Sequence, residues 1–491
     1  MQQRFLQQRL LPAAVILGIA VLLIVALRSG QEWDGDFALY ILNARNIALG
    51  LPYGKTPYLF NAANTIHPAA YPPGLPLLIA PIYAALGINL VAIKVICIVT
   101  FVLFLFVFHR IALSVVSPIC ALVVTAALGL HPYIFKFENS PAAELPFLFF
   151  CYGALYLFMR LSAEGERPRR SLAPLVAATA AAVAAACLTR PVGGLLFPAA
   201  LAVSVLHHRR LVTPESVALC VAAAMVLLVQ LAFPADVGTY LHYFDDFSMH
   251  AFLVSLEQYG RVAASVLGNA AVVHLEIGIA LVTGVALLAL VGFVAQARRR
   301  FSILEAFSIS YVGFILVFPA LAPSRYSLPV WPVLFLYSAE GVEILGAGFR
   351  AHFKRLAFEL AVCGTVAAVY LIQYGSMTFG EIPFSVEAPQ SRELFAGIEM
   401  DLPAGARLLT RKPAIIALYT GHEATIWPET FTDDELWTFL ARMRVRYIVQ
   451  DRYHMGVDAK LEDVLDPFVE RNAARLQLVF SNEWFKLYRT G

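Results

Sequence analysis

The chain has 491 residues, 59% of them hydrophobic and 14% charged, with 36 Lys and Arg against 34 Asp and Glu for a net charge of +2. A mean hydropathy of +0.71 lies far above what a soluble core needs, which excludes a soluble globular domain and leaves a polytopic membrane protein. The Lys and Arg residues sit in short loops between apolar runs and form no continuous stripe, so no nucleic-acid partner is implied.

Apolar windows recur at 11-28, 90-109, 112-131, 143-161, 172-189, 191-206, 213-233, 271-296, 302-320, 326-345 and 356-375. They predict about eleven spans of a hydrocarbon core roughly 30 Å thick. The first, "LPAAVILGIAVLLIVAL", has no convincing small-residue cleavage site before "RSGQEWDGD" and reads as a retained span. A further piece, "GLPLLIAPIYAALG" at 74-87, follows Pro72-Pro73 and is too short to span comfortably. It predicts an interfacial or re-entrant helix within a large first outer loop. All six cysteines (Cys97, Cys120, Cys151, Cys187, Cys220, Cys363) fall inside apolar runs with no CxxC pair and read as small buried hydrophobes.

Loop charge sets the expected orientation. With a cytoplasmic N-terminus, "HR" at 109-110, "RLSAEGERPRR" at 160-170, "HHRR" at 207-210, "QARRR" at 296-300 and "FRAHFKR" at 349-355 all fall on the inner side. The outer side then holds 29-89, 132-142, the region near Arg190, 234-270, 321-325 and everything from 376 on. The expected organisation is a transmembrane domain over 1-375, with 29-89 as its first outer loop, and an outer α/β domain over 376-491. In that tail "SRELFAGIEMD", "TDDELWTFLARMR" and "AKLEDVLDPFVERNAAR" carry helical periodicity, while "ARLLTR", "VRYIVQDR" and "LQLVFSNEWFKLYR" read as strands. It contains neither GxGxxG nor a P-loop.

The outer segments concentrate the polar chemistry. "GQEWDGDFALYILNARNIALG" places Glu32, Asp34 and Asp36 where a first span hands over to a loop, and Asp36, Tyr40 and Asn43 share one helical face. A helix cap worth roughly 1 kcal/mol would account for one acid; the two beside it, at a lipid boundary where desolvated charge is costly, go beyond that. The next stretch, "LPYGKTPYLFNAANTIHPAAYPPGLPLL", is crowded with Tyr, Asn, His67, Tyr71 and proline. It reads either as a rigid aromatic interface or as the wall of a polar substrate site. The second outer loop, "HPYIFKFENSPAAELPFLFF", adds Glu138 and Glu144. The macrodipole alone would favour Glu144 at a helix start. Arg190 in "LTRPVG" and Arg325 in "PSRYSLPVWP" break the positive-inside trend, and a guanidinium fork suits the phosphate of a lipid head group.

The order of Asp36-Phe-Ala-Leu-Tyr40 after the first span, "HPAAYPPGLPLL", Glu144 opening a later span, "LTRPVG" and "RYSLPVWPVLFL" resembles the GT-C membrane glycosyltransferases. The nearest branch holds the protein O-mannosyltransferases and the bacterial lipid A aminoarabinose transferase. The resemblance implies a catalytic pair of Asp36 and Glu144. It also implies an aromatic partner at Tyr40 and a phosphate clamp at Arg325, with Arg190 next; Asp34, His67, Tyr71, Glu138 and Tyr326 join them as candidate substrate-binding residues by their place in the outer segments. Relatives carry Lys immediately before the Pro-Pro pair, where this chain has Tyr71. The implied reaction is inverting transfer of a sugar from a polyprenyl-phosphate donor to a lipid, glycan or protein acceptor, at the outer face of a bacterial inner membrane. Asp36 would act as base on the acceptor hydroxyl. Asp34-Gly35-Asp36 is a DxD that admits a divalent ion such as Mg or Mn, although no His or Cys cluster accompanies it. A transporter or flippase of lipid-linked sugars is the alternative, whose expected inverted repeats and midplane charges are not evident here.

Overall fold

Serine and proline decide where the apolar runs break into helices. Ser117 accepts from the Cys120 N–H and Pro118 takes the first turn, where its missing donor costs nothing; His131 and Pro132 repeat the device fourteen residues on. The window at 112-131 therefore yields a helix of only 12 residues, Pro118–Gly129, about 18 Å long.

The computed structural model describes residues 10–33, 36–61, 66–164, 169–208, 212–236, 248–268, 275–318, 323–349, 352–428, 431–451 and 459–491. In chain order the elements begin with α1 (Leu11–Val25), α2 (Asp36–Ala48), β1 (Tyr58–Leu59), α3 (Gly74–Leu86), α4 (Leu90–Ala112), α5 (Pro118–Gly129) and α6 (Pro132–Glu138). There follow α7 (Glu144–Glu164), α8 (Arg169–Thr189), α9 (Leu196–His208), α10 (Pro214–Ala232), α11 (Met249–Gly268), α12 (Leu275–Arg299) and α13 (Ile303–Val317). Then come α14 (Pro323–Ser327), α15 (Trp331–Ala347) and α16 (His352–Gly375). The tail holds α17 (Pro389–Asp401), β2 (Arg407–Thr410), α18 (Pro413–Thr420), β3 (Glu423–Ile426), α19 (Asp433–Met443), β4 (Tyr447–Asp451), α20 (Ala459–Arg471), β5 (Leu476–Ser481) and β6 (Phe485–Thr490).

Among the described residues eight helical stretches are long and apolar enough to cross a membrane, the last being Leu356–Gly375. They coincide with eight of the expected windows. The windows at 11-28, 112-131 and 302-320 hold shorter apolar helices, α1, α5 and α13, and 74-87 holds α3. Among the helices of the first 375 residues, α11 was not anticipated: it lies in the segment read as an outer loop, where Glu257, Gln258 and Arg261 interrupt the hydropathy without interrupting the helix.

Two compact units divide the chain: Met1–Leu27, Lys94–Leu231 and Tyr240–Phe379 form one, and Arg28–Ile93, Ala232–Thr239 and Gly380–Gly491 the other. In the first, Phe101, Phe104 and Phe108 stack along α4, and Tyr152 of α7 packs edge-on against the last two. The Tyr152 hydroxyl reaches through this core to donate to Pro329 O at 2.8 Å, and Tyr311 donates to Tyr326 O at 3.0 Å. Both tyrosines are fully buried, so these bonds pin the segment 323–330 against the bundle. Helices α12 and α15 meet at two glycines. A Cβ on Gly292 would lie 2.1 Å from Tyr337 O and one on Gly341 2.2 Å from Leu288 O, so only glycine permits this approach.

In the second unit a six-stranded sheet runs in the order β1-β3-β2-β4-β6-β5, parallel through β1, β3, β2 and β4 and antiparallel at β4, β6 and β5. The segment read as one strand stretch, "LQLVFSNEWFKLYR", is a hairpin whose turn is held by Asn482, which accepts from the Trp484 and Phe485 N–H groups. Strand β1 comes from the first loop rather than the tail, and Asn61 secures it by donating to Thr425 Oγ1 at 2.8 Å. Trp33 does the same for the chain before α2: its Nε1 donates to Ser391 Oγ at 2.9 Å, and its ring lies between Phe395 and Phe485.

Candidate active site

Two clusters gather the polar residues singled out in the sequence, one in each compact unit. In the sheet-bearing unit, Asp36 is the first residue of α2 and sits half-buried. The Tyr71 hydroxyl donates to Asp36 Oδ1 at 2.6 Å, and the Tyr71 ring packs on Tyr40 with centroids 4.5 Å apart. The loop that presents Tyr71 is folded back onto α2 by two buried amides. Asn43 Nδ2 donates to Tyr53 O and Pro68 O, and Asn46 Nδ2 donates to the carbonyls of Pro52, Tyr53 and Lys55. Tyr53 then donates to Tyr71 O at 2.7 Å. Asn43 and Asn46 thus build the scaffold by answering loop carbonyls that burial would otherwise leave unpaired. His67 accepts from the Ala69 N–H at 3.1 Å and lies edge-on to Phe60, both within its own loop. Asp34 and the Glu138 side chain lie outside the described residues.

In the helical unit, Glu144 opens α7 and is 1% exposed. Its Oε1 accepts from Arg190 Nη1 at 2.9 Å and from Arg325 Nε at 2.6 Å. Arg190 owes its place to Pro191: the residue before a proline is driven from the helical region, and Arg190 is extended at φ −146° and ψ 136°. Its guanidinium also lies 5.1 Å from the Tyr326 ring. Burial acts against the Arg190 charge, the Glu144 carboxylate acts for it, and the net direction is upward, so this arginine stays charged. Two guanidiniums thus meet on one buried carboxylate oxygen, and Arg325 is the more exposed of the pair.

Three residues near this cluster carried no sequence motif. Tyr133 of α6 hydrogen-bonds Ser324, and its pKa is raised, chiefly by burial and further by Glu144, with Ser324 and Arg325 acting the other way. Tyr259 of α11 is 9% exposed, within electrostatic reach of Arg190 and Tyr326, and its hydroxyl has no hydrogen-bond partner among the described residues. Lys94 is fully buried one turn into α4, and it and Glu144 both act electrostatically on Cys97. A lone Lys inside an apolar run was a visible signal, since intramembrane charge is rarely without a purpose. Tyr259 offered none, because its helix was itself unrecognised.

These features define an integral membrane protein of many helices, combined with a small mixed sheet and bearing one cluster of Asp36 with tyrosines and another of Glu144 with two arginines. Comparison with solved structures places that architecture. ArnT from Cupriavidus metallidurans, in the structure bound to undecaprenyl phosphate, superposes with a TM-score of 0.60 at 14% identity over 97% of both chains. The archaeal oligosaccharyltransferase AglB from Archaeoglobus fulgidus, in complex with an inhibitory peptide and a dolichol-phosphate, gives 0.60 at 13% identity over 90% of this chain and 69% of its own. The mycobacterial arabinofuranosyltransferase AftD gives 0.54 at 13% identity over 98% of this chain and 42% of its own. No protein-family model and no curated protein matches the chain. The chain has the GT-C fold, as the residues around Asp36, Glu144, Arg190 and Arg325 lead one to expect.

Proposed function

We propose that the protein is a glycosyltransferase that moves a sugar from a polyprenyl-phosphate carrier to a lipid, glycan or protein acceptor. The observation that carries this reading is the cluster in which Arg190 and Arg325 share one oxygen of buried Glu144, in a chain whose fold is that of ArnT bound to undecaprenyl phosphate. A guanidinium fork suits the oxygens of a lipid-carrier phosphate. Arg325, at 30% exposure, is the more open of the two arginines and our candidate for the phosphate contact, while Arg190 at 12% is the buried brace.

In the reaction the acceptor hydroxyl gives its proton to Asp36 as its oxygen bonds to the anomeric carbon. The bond from that carbon to the phosphate oxygen breaks, and the polyprenyl phosphate leaves with the electron pair. A single displacement of this kind inverts the anomeric centre. Tyr71 holds the Asp36 carboxylate in one rotamer, Glu144 fixes the two arginines, and Arg325 stabilises the charge gathering on the leaving phosphate. On this reading the transfer takes place at the outer face of a bacterial inner membrane, the side opposite the Arg-rich loops.

The test is to incubate the purified protein with a panel of polyprenyl-phosphate sugars and a crude acceptor fraction, following donor by mass spectrometry. Consumption of one donor with release of polyprenyl phosphate supports the reading. Movement of intact donor across a vesicle bilayer without consumption would instead make the protein a flippase.

A further inference from the structure

A second cationic site lies at the far end of the same helices. Arg160 is sixteen residues after Glu144 on α7, and His207 of α9 is seventeen after Arg190, which at the helical rise puts them about 24 Å from the Glu144 cluster. That distance is close to the thickness of a bilayer's hydrocarbon core. Between these helix ends is a cavity of about 390 Å³ into which Arg110, Arg160, His207 and Arg300 converge.

The positive-inside rule explains why cations occur at this end. It does not explain why four of them, from α4, α7, α9 and the residue following α12, surround one concavity whose lining, among the described residues, holds no carboxylate. Among the described residues, three acids near this end have partners of their own. Glu215 accepts from Ser162 at 3.0 Å and meets His208 at 3.6 Å, Glu340 pairs with Arg299 at 2.8 Å, and Glu305 caps Ser302 while receiving the Tyr337 hydroxyl. Arg160 leans on the Tyr156 hydroxyl, which also lines the cavity. Among the described residues neither Arg110 nor Arg300 meets a carboxylate within ion-pair distance. Arg110 and Arg300 are like charges facing one hollow, and an anion seated there removes the repulsion between them. The remaining wall is apolar, through Met159, Val203 and Ile303, and next to it Leu206 is 64% exposed toward what would be lipid.

We propose that this cavity binds the phosphate head group of an anionic membrane phospholipid, in the leaflet opposite the one that Glu144 faces. The guanidinium groups of Arg110, Arg160 and Arg300 hold the phosphodiester, and the acyl chains leave over the apolar wall. This site is independent of the transferase reading, since it takes no part in the chemistry and its ligand is a structural lipid.

The experiment uses the full chain in nanodiscs of phosphatidylcholine with or without phosphatidylglycerol. Retained lipid is counted by native mass spectrometry after detergent extraction, and melting temperature is measured in parallel. Wild type is expected to retain phosphatidylglycerol and to melt higher in its presence. The R110Q/R160Q/R300Q variant should bind it about 100-fold more weakly, taking the usual contribution of one basic residue near an anionic surface three times over. Arg298, exposed and outside the cavity, serves as the control: Arg298→Gln should retain lipid as wild type does. The single variants Arg110→Gln and Arg300→Gln, each expected to lose part of the binding, keep the test decisive should the triple variant fold poorly. Retention by all variants at the wild-type level overturns the proposal. So does a rise in melting temperature with inorganic phosphate alone equal to that with phosphatidylglycerol, which would make the cavity a free-anion site.

Discussion

The hydroxyl of Tyr71 donates to the carboxylate of Asp36 at 2.6 Å, joining the residue before a Pro-Pro pair to the first residue of a helix 35 positions earlier. A donor aimed at a carboxylate favours its ionised form. Tyr71→Phe is therefore expected to move the acid limb of the pH–activity profile toward higher pH, with turnover near neutrality reduced far less than by loss of Asp36 itself. The profile measured with lipid-linked donor checks this, and an unmoved acid limb would reduce the bond to loop packing.

Asp36→Asn keeps the size of the side chain and its capacity to accept from Tyr71, and removes only the basic oxygen. Turnover should fall by roughly 10²- to 10⁴-fold, the usual cost of losing a general base, at an unchanged melting temperature. Asp34→Asn should be much milder if Asp34 only tunes its neighbour. If the DxD binds a divalent ion, both variants fall, chelation lowers wild-type turnover, and added Mg or Mn partly restores the Asp34 variant. A stable Asp36→Asn protein with near wild-type turnover would leave Asp36 as a helix start and nothing more.

Glu144→Gln leaves two guanidiniums facing one neutral amide. Because Glu144 is 1% exposed, the loss should cost roughly 3 kcal/mol, toward the lower end for a broken buried pair since Arg325 is 30% exposed. The double variant Glu144→Gln/Arg190→Gln takes away one of the two facing guanidiniums as well and should recover part of that stability while staying inactive. Thermal melts of the three proteins decide it: a double variant no more stable than the single would mean the charges do not interact as their geometry indicates.

The α/β segment should show its own acid sensitivity. Asp433 takes two hydrogen bonds from Arg471, at 2.7 and 3.1 Å, and one from Asn472, which in turn accepts from Trp437. Its pKa is lowered, by the Arg471 hydrogen bonds first, so its contribution is present above the ordinary carboxylate range and is lost as pH falls through the lowered value. For an exposed pair the effect is below about 1 kcal/mol. Trp437 fluorescence during acid titration should show a transition that Asp433→Asn abolishes; an identical titration in the variant would assign the transition elsewhere.

Hydropathy and loop charge made the helical frame legible, because lipid demands long apolar runs and leaves little room for exceptions. The three short helices were less legible, since window averages do not register the Ser and Pro pairs that cut a run at 117–118. Helix α11 and the pair α18 and β3 were missed for opposite reasons, one too polar for a span and the other too apolar and short to declare a period. Strand β1 was out of reach altogether: its two residues are paired in parallel with Ala424 and Thr425, and nothing local to Tyr58 announces that partner. The site followed the same pattern. Asp36, Tyr71, Glu144, Arg190 and Arg325 were each visible as misplaced or distinctive residues, but that both arginines would share a single Glu144 oxygen is a fact of tertiary geometry, and loop position reports only sidedness.

The pairing of β1 with β3 also sets a clock. Asn61 finds Ile426 only after 365 further residues have been made, which at ordinary rates of synthesis takes about 20 to 70 s. For that whole interval the strand that follows α2 waits without its sheet, while helix after helix enters the membrane. A ribosome that stops early, or a protease that trims the tail, therefore leaves the Asp36 loop without its partner strand. Completion of the last hundred residues thus becomes the step that closes the fold around the first loop.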